Sequence, residues 1–164
     1  MMKGGAFKDS TRESRPVHRG LLRGGLLFLA TTPLVGGLWA LLVPRAFYED
    51  FPLPGRSWVS TLGPYNEHLV RDYGALNLAL AVLLVAAAIL AERRLSQVAL
   101  VTWLVFEVPH FVFHLGQTHH FSARSNLEQL VGLGLLVVLP LVLLFFAAPY
   151  GAKEGLDDVE RPER

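Results

Sequence analysis

Residues 68–116 read HLVRDYGALNLALAVLLVAAAILAERRLSQVALVTWLVFEVPHFVFHLG, and this stretch decides the fold. From Ala75 to Ala91 the only polar side chain is Asn77. Glu92-Arg93-Arg94 then interrupts, and a second apolar run begins near Val98 and ends near Gly116. A helix needs about 20 mostly apolar residues to cross the hydrocarbon of a bilayer. A connection this short forces the two helices to be antiparallel neighbours.

The same pattern occurs once on each side. An apolar run from about Leu21 to Val43 stops at Pro44-Arg45, and another from about Leu127 to Ala148 stops at Pro149. The expected fold is therefore all-α: an integral membrane four-helix bundle, one domain over about 20–149, with spans near 21–43, 68–91, 98–116 and 127–148. Residues 1–19 form a basic arm and 150–164 a charged tail, both expected to be disordered. A basic start before an apolar run also describes a secretory signal. The run here is longer than the roughly 7–15 residues of a signal core, and no small-x-small cleavage site follows it, so an uncleaved span is expected.

Lys and Arg near the ends of spans set orientation. Lys3, Lys8, Arg12, Arg15 and Arg19 precede the first span, Arg93 and Arg94 follow the second, and Lys153, Arg161 and Arg164 follow the fourth. The opposite side holds Arg45, Arg56 and Arg124. Both termini are expected in the cytoplasm of a multi-pass cell-membrane protein. With no cysteine, disulfide, thiolate-metal and thiol redox chemistry are excluded. A net charge of +1 gives no reason to expect nucleic acid as a partner. Membrane lipids are the expected surroundings, with a membrane-protein partner or a homo-oligomer also open. The Gly20/Gly24, Gly36-Gly37 and Gly132/Gly134 spots are read as helix packing within the bundle rather than dimerisation.

Between the first two spans, residues 44–67 are rich in Pro, Gly and rings: Phe47, Tyr48, Phe51, Trp58 and Tyr65. Such rings favour the membrane–water boundary. The segment is expected to lie in the interface, and it could also serve as a lid over that end of the bundle.

Ionisable groups inside a span cost about 2.5–3.5 kcal/mol for Asp, Lys or Arg at a helix centre. They face the bundle interior and mark functional sites by default. The second span carries His68 and Asp72 on one helix face, with Asn77 deeper; the third carries Trp103, Glu107, His110 and His114 as one stripe. In an antiparallel hairpin His68 falls level with His114, and Asp72 level with His110. The acidic and imidazole groups are thus expected to meet in a pocket away from the cytoplasm. Imidazole and carboxylate together are ligands for Zn, Fe or Cu. His68, Asp72, His110, His114 and Glu107 are the expected metal ligands, Glu107 and Asp72 the acid–base candidates, and Asn77 and Trp103 the candidates for contacting a cofactor. Two histidines on facing helices could instead clamp a haem. Glu107-x-x-His110 is half of a di-iron motif, and the other half is missing. Taken singly, His68, His114 and Asp72 could be boundary residues reaching water, and Asn77 could be interhelical glue. A metal-free pocket for a quinone, a lipid or another small amphiphile also fits, because the polar groups reach only about halfway across the bundle. Lack of that continuation argues against a through-channel. Pro109 is expected to loosen the third span where it lacks an N–H for Val105.

His110-x-x-x-His114 and His119-His120 resemble fragments of the histidine boxes of membrane desaturases. Six histidines, one of them His18 in the arm, are too few for that family, and the rest lie at the wrong end. The stretch from Gly63 to Leu80, followed by Val108-Pro109-His110 and His114, resembles a group of small four-helix membrane proteins of actinobacteria, and more loosely the DoxX-like proteins. That resemblance covers about residues 25–146. It implies the four-helix fold and an envelope location, and it implies no activity.

Overall fold

The computed structural model describes residues 14–147, with side chains from Arg19 onward. Most of the expected arm and all of the expected tail lie outside these residues. Four long helices carry the chain: α1 (Ser14–Leu42), α3 (Glu67–Leu90), α4 (Arg93–Gly116) and α5 (Ala123–Phe146). A short helix α2 (Pro44–Asp50) follows α1, and a 3-10 turn (Thr118–His120) precedes α5. All four long helices are long and apolar enough to cross a membrane. The chain is an all-helical bundle of the kind expected.

The boundaries differ in instructive ways. The expected disordered arm gives way to helix at Ser14. α4 begins at Arg93 rather than near Val98, and α5 at Ala123 rather than near Leu127. A polar first turn continues a helix once its cap is set, as Ser122 does by accepting from the Ser125 N–H at 3.2 Å. Asn66 caps α3 in the same way, through the Leu69 N–H. Pro44 ends α1 but also opens α2, since proline is well suited to a first helical position. α4 runs through Pro109 without interruption.

The long helices pack in the cyclic order α1, α3, α4, α5, with α1 again touching α5. The closest approach is between α1 and α3. A Cβ at Gly74 would stand 2.6 Å from the Leu41 backbone N and 2.9 Å from the Gly37 carbonyl O, so only glycine fits there. Gly25 likewise receives Leu143 of α5. Gly20, Gly24, Gly36 and Gly132 meet nothing within 4 Å among the described residues and Gly134 only just reaches Phe111 at 4.0 Å, so the expected packing role holds for Gly37 and fails for those four.

The core joins Leu26, Leu29, Leu84, Leu100, Trp103 and Leu143. In water each buried Leu would contribute about 1.5–3 kcal/mol. Lipid tails are as apolar as Leu, so in a bilayer that gain largely disappears and close packing must hold the helices. Val82, Ile89, Val105 and Phe145 point outward and present the apolar surface that lipid would wet.

Candidate functional site

The rotation of α3 is fixed by its packing stripe Val70, Gly74, Asn77, Ala81, Leu84 and Ala88. Residues two apart on a helix lie about 200° round its axis, nearly opposite each other. Asp72 therefore faces away from the side on which Gly74 meets α1. Its side chain is 62% exposed, and that of His68 is 87% exposed. The two pair with each other, His68 Nε2 to Asp72 Oδ2 at 3.2 Å. Arg71 does not join them: it bonds Glu67 and the Leu41 carbonyl.

The stripe on α4 turns inward. Glu107 is buried, and its Oε1 has no hydrogen-bond partner among the described residues. The rings of His110 and His114 stack with centroids 4.9 Å apart at 19°. His114 Nδ1 lies 2.6 Å from Gln129 Oε1 of α5. Trp103 is also buried, and its indole N–H donates to the Leu136 carbonyl at 2.9 Å. That bond ties α4 to α5.

The expected ligand set is thus split. Equal depth on two neighbouring helices does not mean facing sides. His68 and Asp72 stand on one exposed surface, while Glu107, His110 and His114 stand on the inner face of α4. Among the described residues no group of three or more His, Asp or Glu side chains is placed to hold a metal ion. The histidine pair that stands close belongs to one helix, not to two facing ones as a haem clamp needs.

What α3 and α4 do form is a cleft of about 410 Å³. α3 supplies Val70 and Tyr73 to it, and α4 supplies Phe106, His110 and His114. Phe47, Trp58 and Leu62 of the 44–66 segment cover it. Leu69 and Phe113 stand at its edge and are themselves outward-facing. The cover is well built. Phe47 stacks near Phe51 (4.8 Å) and Tyr73 (5.6 Å), Tyr48 donates to the Gly63 carbonyl at 2.7 Å, and Ser57 donates to the Glu49 carbonyl at 2.8 Å. Arg56 ties this cover to α5 through Glu128 at 3.0 Å, and Arg124 holds the same carboxylate at 2.9 Å.

Asn77 is buried beside Gly37, and its amide donates to the Tyr73 carbonyl at 2.9 Å. Asn77 therefore supports the cleft through Tyr73 and does not line it. His119 and His120 lie near each other on the exposed turn after α4, outside the cleft.

Three contributors escaped the sequence reading: Tyr73, Phe106 and Gln129. Gln129 had a visible signal. It begins the repeat Gln129, Leu136, Leu143 at heptad spacing, so it sits on the buried stripe of α5. Its neighbour Glu128 is part of the cover's anchor.

No family model, no curated protein and no solved structure matches this chain.

Proposed function

We propose that this protein binds a membrane-soluble molecule with a planar, hydrogen-bonding head, of the quinone class, in the cleft between α3 and α4. One observation carries the reading. A cleft of ligand size has walls made of rings, and its polar groups are few: His110, His114, Tyr73 and the Trp58 indole N–H, which has no partner among the described residues. Small-molecule sites occupy about 300–1,000 Å³ and combine an apolar lining with a few placed polar groups. Aromatic walls favour a flat ring over a bulky polar head, through offset or edge-to-face contact.

The edge of the cleft supports the membrane as the source. Leu69 and Phe113 belong both to the cleft and to the outward apolar surface, so a long apolar tail can remain in lipid while the head enters. Neutral imidazole carries one donor and one acceptor, and phenol carries both on one oxygen. His110, His114 and Tyr73 can therefore serve a carbonyl or a hydroxyl on the ring. Glu107, buried one helical turn from His110, is the candidate carboxyl for acid–base work beside them. The transition-metal and haem readings lack a gathered ligand set among the described residues. Lys and Arg counts support cytoplasmic termini, which would set the cleft in the outer leaflet.

The test uses Trp58, which lines the cleft, as the reporter. A short-chain benzoquinone is titrated into protein in nanodiscs while tryptophan emission is followed. Saturable quenching is expected, reduced in Trp58→Phe and weakened in His110→Leu and Phe106→Ala. Quenching that is linear in quinone and unchanged in all three variants would show collisional contact only and would overturn the reading.

A further inference from the structure

A second cavity, of about 590 Å³, opens at the other end of the bundle. All four long helices reach it: Arg19 and Leu22 of α1, Leu90 at the end of α3, Arg93 and Arg94 at the start of α4, and Phe146 at the end of α5. These are the positions where the four candidate spans begin or end. The cavity therefore sits at the depth of lipid headgroups.

Its chemistry has two sides. Three arginines stand around it against one carboxylate, Glu92. Leu22 and Ala147 form a buried apolar floor, and Leu90 continues outward onto the apolar surface. One arginine is already engaged, since Arg93 Nε donates to the Ala147 carbonyl at 2.8 Å. Arg23, just outside, is engaged similarly with the Ala88 carbonyl at 2.9 Å. Both tie helix ends together. Arg19 and Arg94 are different: they form no ion pair and no hydrogen bond through their side chains among the described residues.

We propose that this cavity binds the phosphate of an anionic phospholipid, with Arg19 and Arg94 as its charged contacts. Guanidinium presents a fork of donors that matches phosphate oxygens. A phosphodiester there would join α1 to α4, which are diagonal in the ring of helices. Basic pockets between spans on the cytoplasmic side have the composition for such headgroups. Charge favours an anionic lipid over a zwitterionic one, whose own cation would enter a site already rich in arginine. The apolar floor and Leu90 favour a lipid over a free phosphate ion, since a soluble anion gains nothing from them. This inference is independent of the quinone-class reading of the α3/α4 cleft.

The test measures thermal unfolding of the full chain in a neutral detergent, with phosphatidylglycerol, phosphatidylcholine or inorganic phosphate added. A rise of several degrees is expected with phosphatidylglycerol alone. Arg19→Gln and Arg94→Gln, made singly and together, are expected to lose that rise while keeping the unfolding temperature seen in detergent. Arg45→Gln, at the opposite end, is expected to keep it. The proposal fails if phosphatidylcholine gives the same rise, or if the double variant retains the full response. It fails equally if Arg45→Gln abolishes the rise, which would mark a diffuse charge effect. An equal rise with inorganic phosphate would overturn the lipid as occupant and leave a free-anion site.

Discussion

His114 Nδ1 and Gln129 Oε1 stand 2.6 Å apart, joining α4 to α5 at the inner wall of the α3/α4 cleft. With its amide oxygen toward the ring, Gln129 accepts from an Nδ1 that carries the proton, which leaves Nε2 as the acceptor of the neutral imidazole. Gln129 thereby sets which face of the imidazole chemistry His114 can offer. Gln129→Leu removes that partner and leaves a partly buried N–H unpaired. A loss of about 1 kcal/mol is expected, near the usual worth of such a bond. Thermal unfolding in detergent measures it, and an unchanged midpoint would show that the pair contributes nothing.

Gly74 meets the backbone of α1 directly, so its replacement tests the tightest helix contact. Gly74→Leu has no room to relax by side-chain motion, because the obstructing atoms are backbone. Destabilisation of about 3 kcal/mol is expected. Gly24→Leu, at a position with nothing within 4 Å among the described residues, is the matched control and should be near neutral. Comparable losses in the two would contradict this account of α1–α3 packing.

His68 and Asp72 pair on an exposed surface, and exposed pairs are worth about 0–1 kcal/mol. His68→Ala and Asp72→Asn should change stability by less than this and leave quinone quenching intact. His110→Leu should weaken quenching. If His68→Ala and His110→Leu proved equally damaging, a shared ligand set across the hairpin would have to be restored.

Glu107 holds Oε1 in the interior without a partner among the described residues, so the carboxyl gives up solvation and gains no bond at that atom from them. Glu107→Gln keeps the shape and removes the ionisable group. The unfolding temperature is expected to hold or rise. A fall of several degrees would mean that the carboxyl has a stabilising partner, such as a bound cation.

Arg56 and Glu128 fasten the cover of the cleft to α5. Partly exposed pairs of this kind are worth up to about 1 kcal/mol, which matters more to an opening rate than to global stability. Glu128→Gln should speed both the onset and the reversal of quinone quenching, with a near-constant midpoint of unfolding. Unaltered rates in stopped-flow measurement would remove the latch role.

Four apolar helices, the hairpin linking α3 to α4, and the single stripe of Glu107, His110 and His114 were all legible in the residue pattern. These follow from local rules: the length of an apolar run, the 3.6-residue period, and the cost of a buried ionisable group. Which way α3 turns about its own axis was decided by tertiary structure. Gly37 and Gly74 allow α1 to approach one side only, and that single contact sends His68 and Asp72 outward and brings Tyr73 to the cleft. Spacing along a helix gives angles between its own residues, but the zero of that angle is set by the neighbour it packs against. The ring-lined cleft is likewise assembled from α2, α3, α4 and the loop between α2 and α3, so no one stretch of sequence contains it.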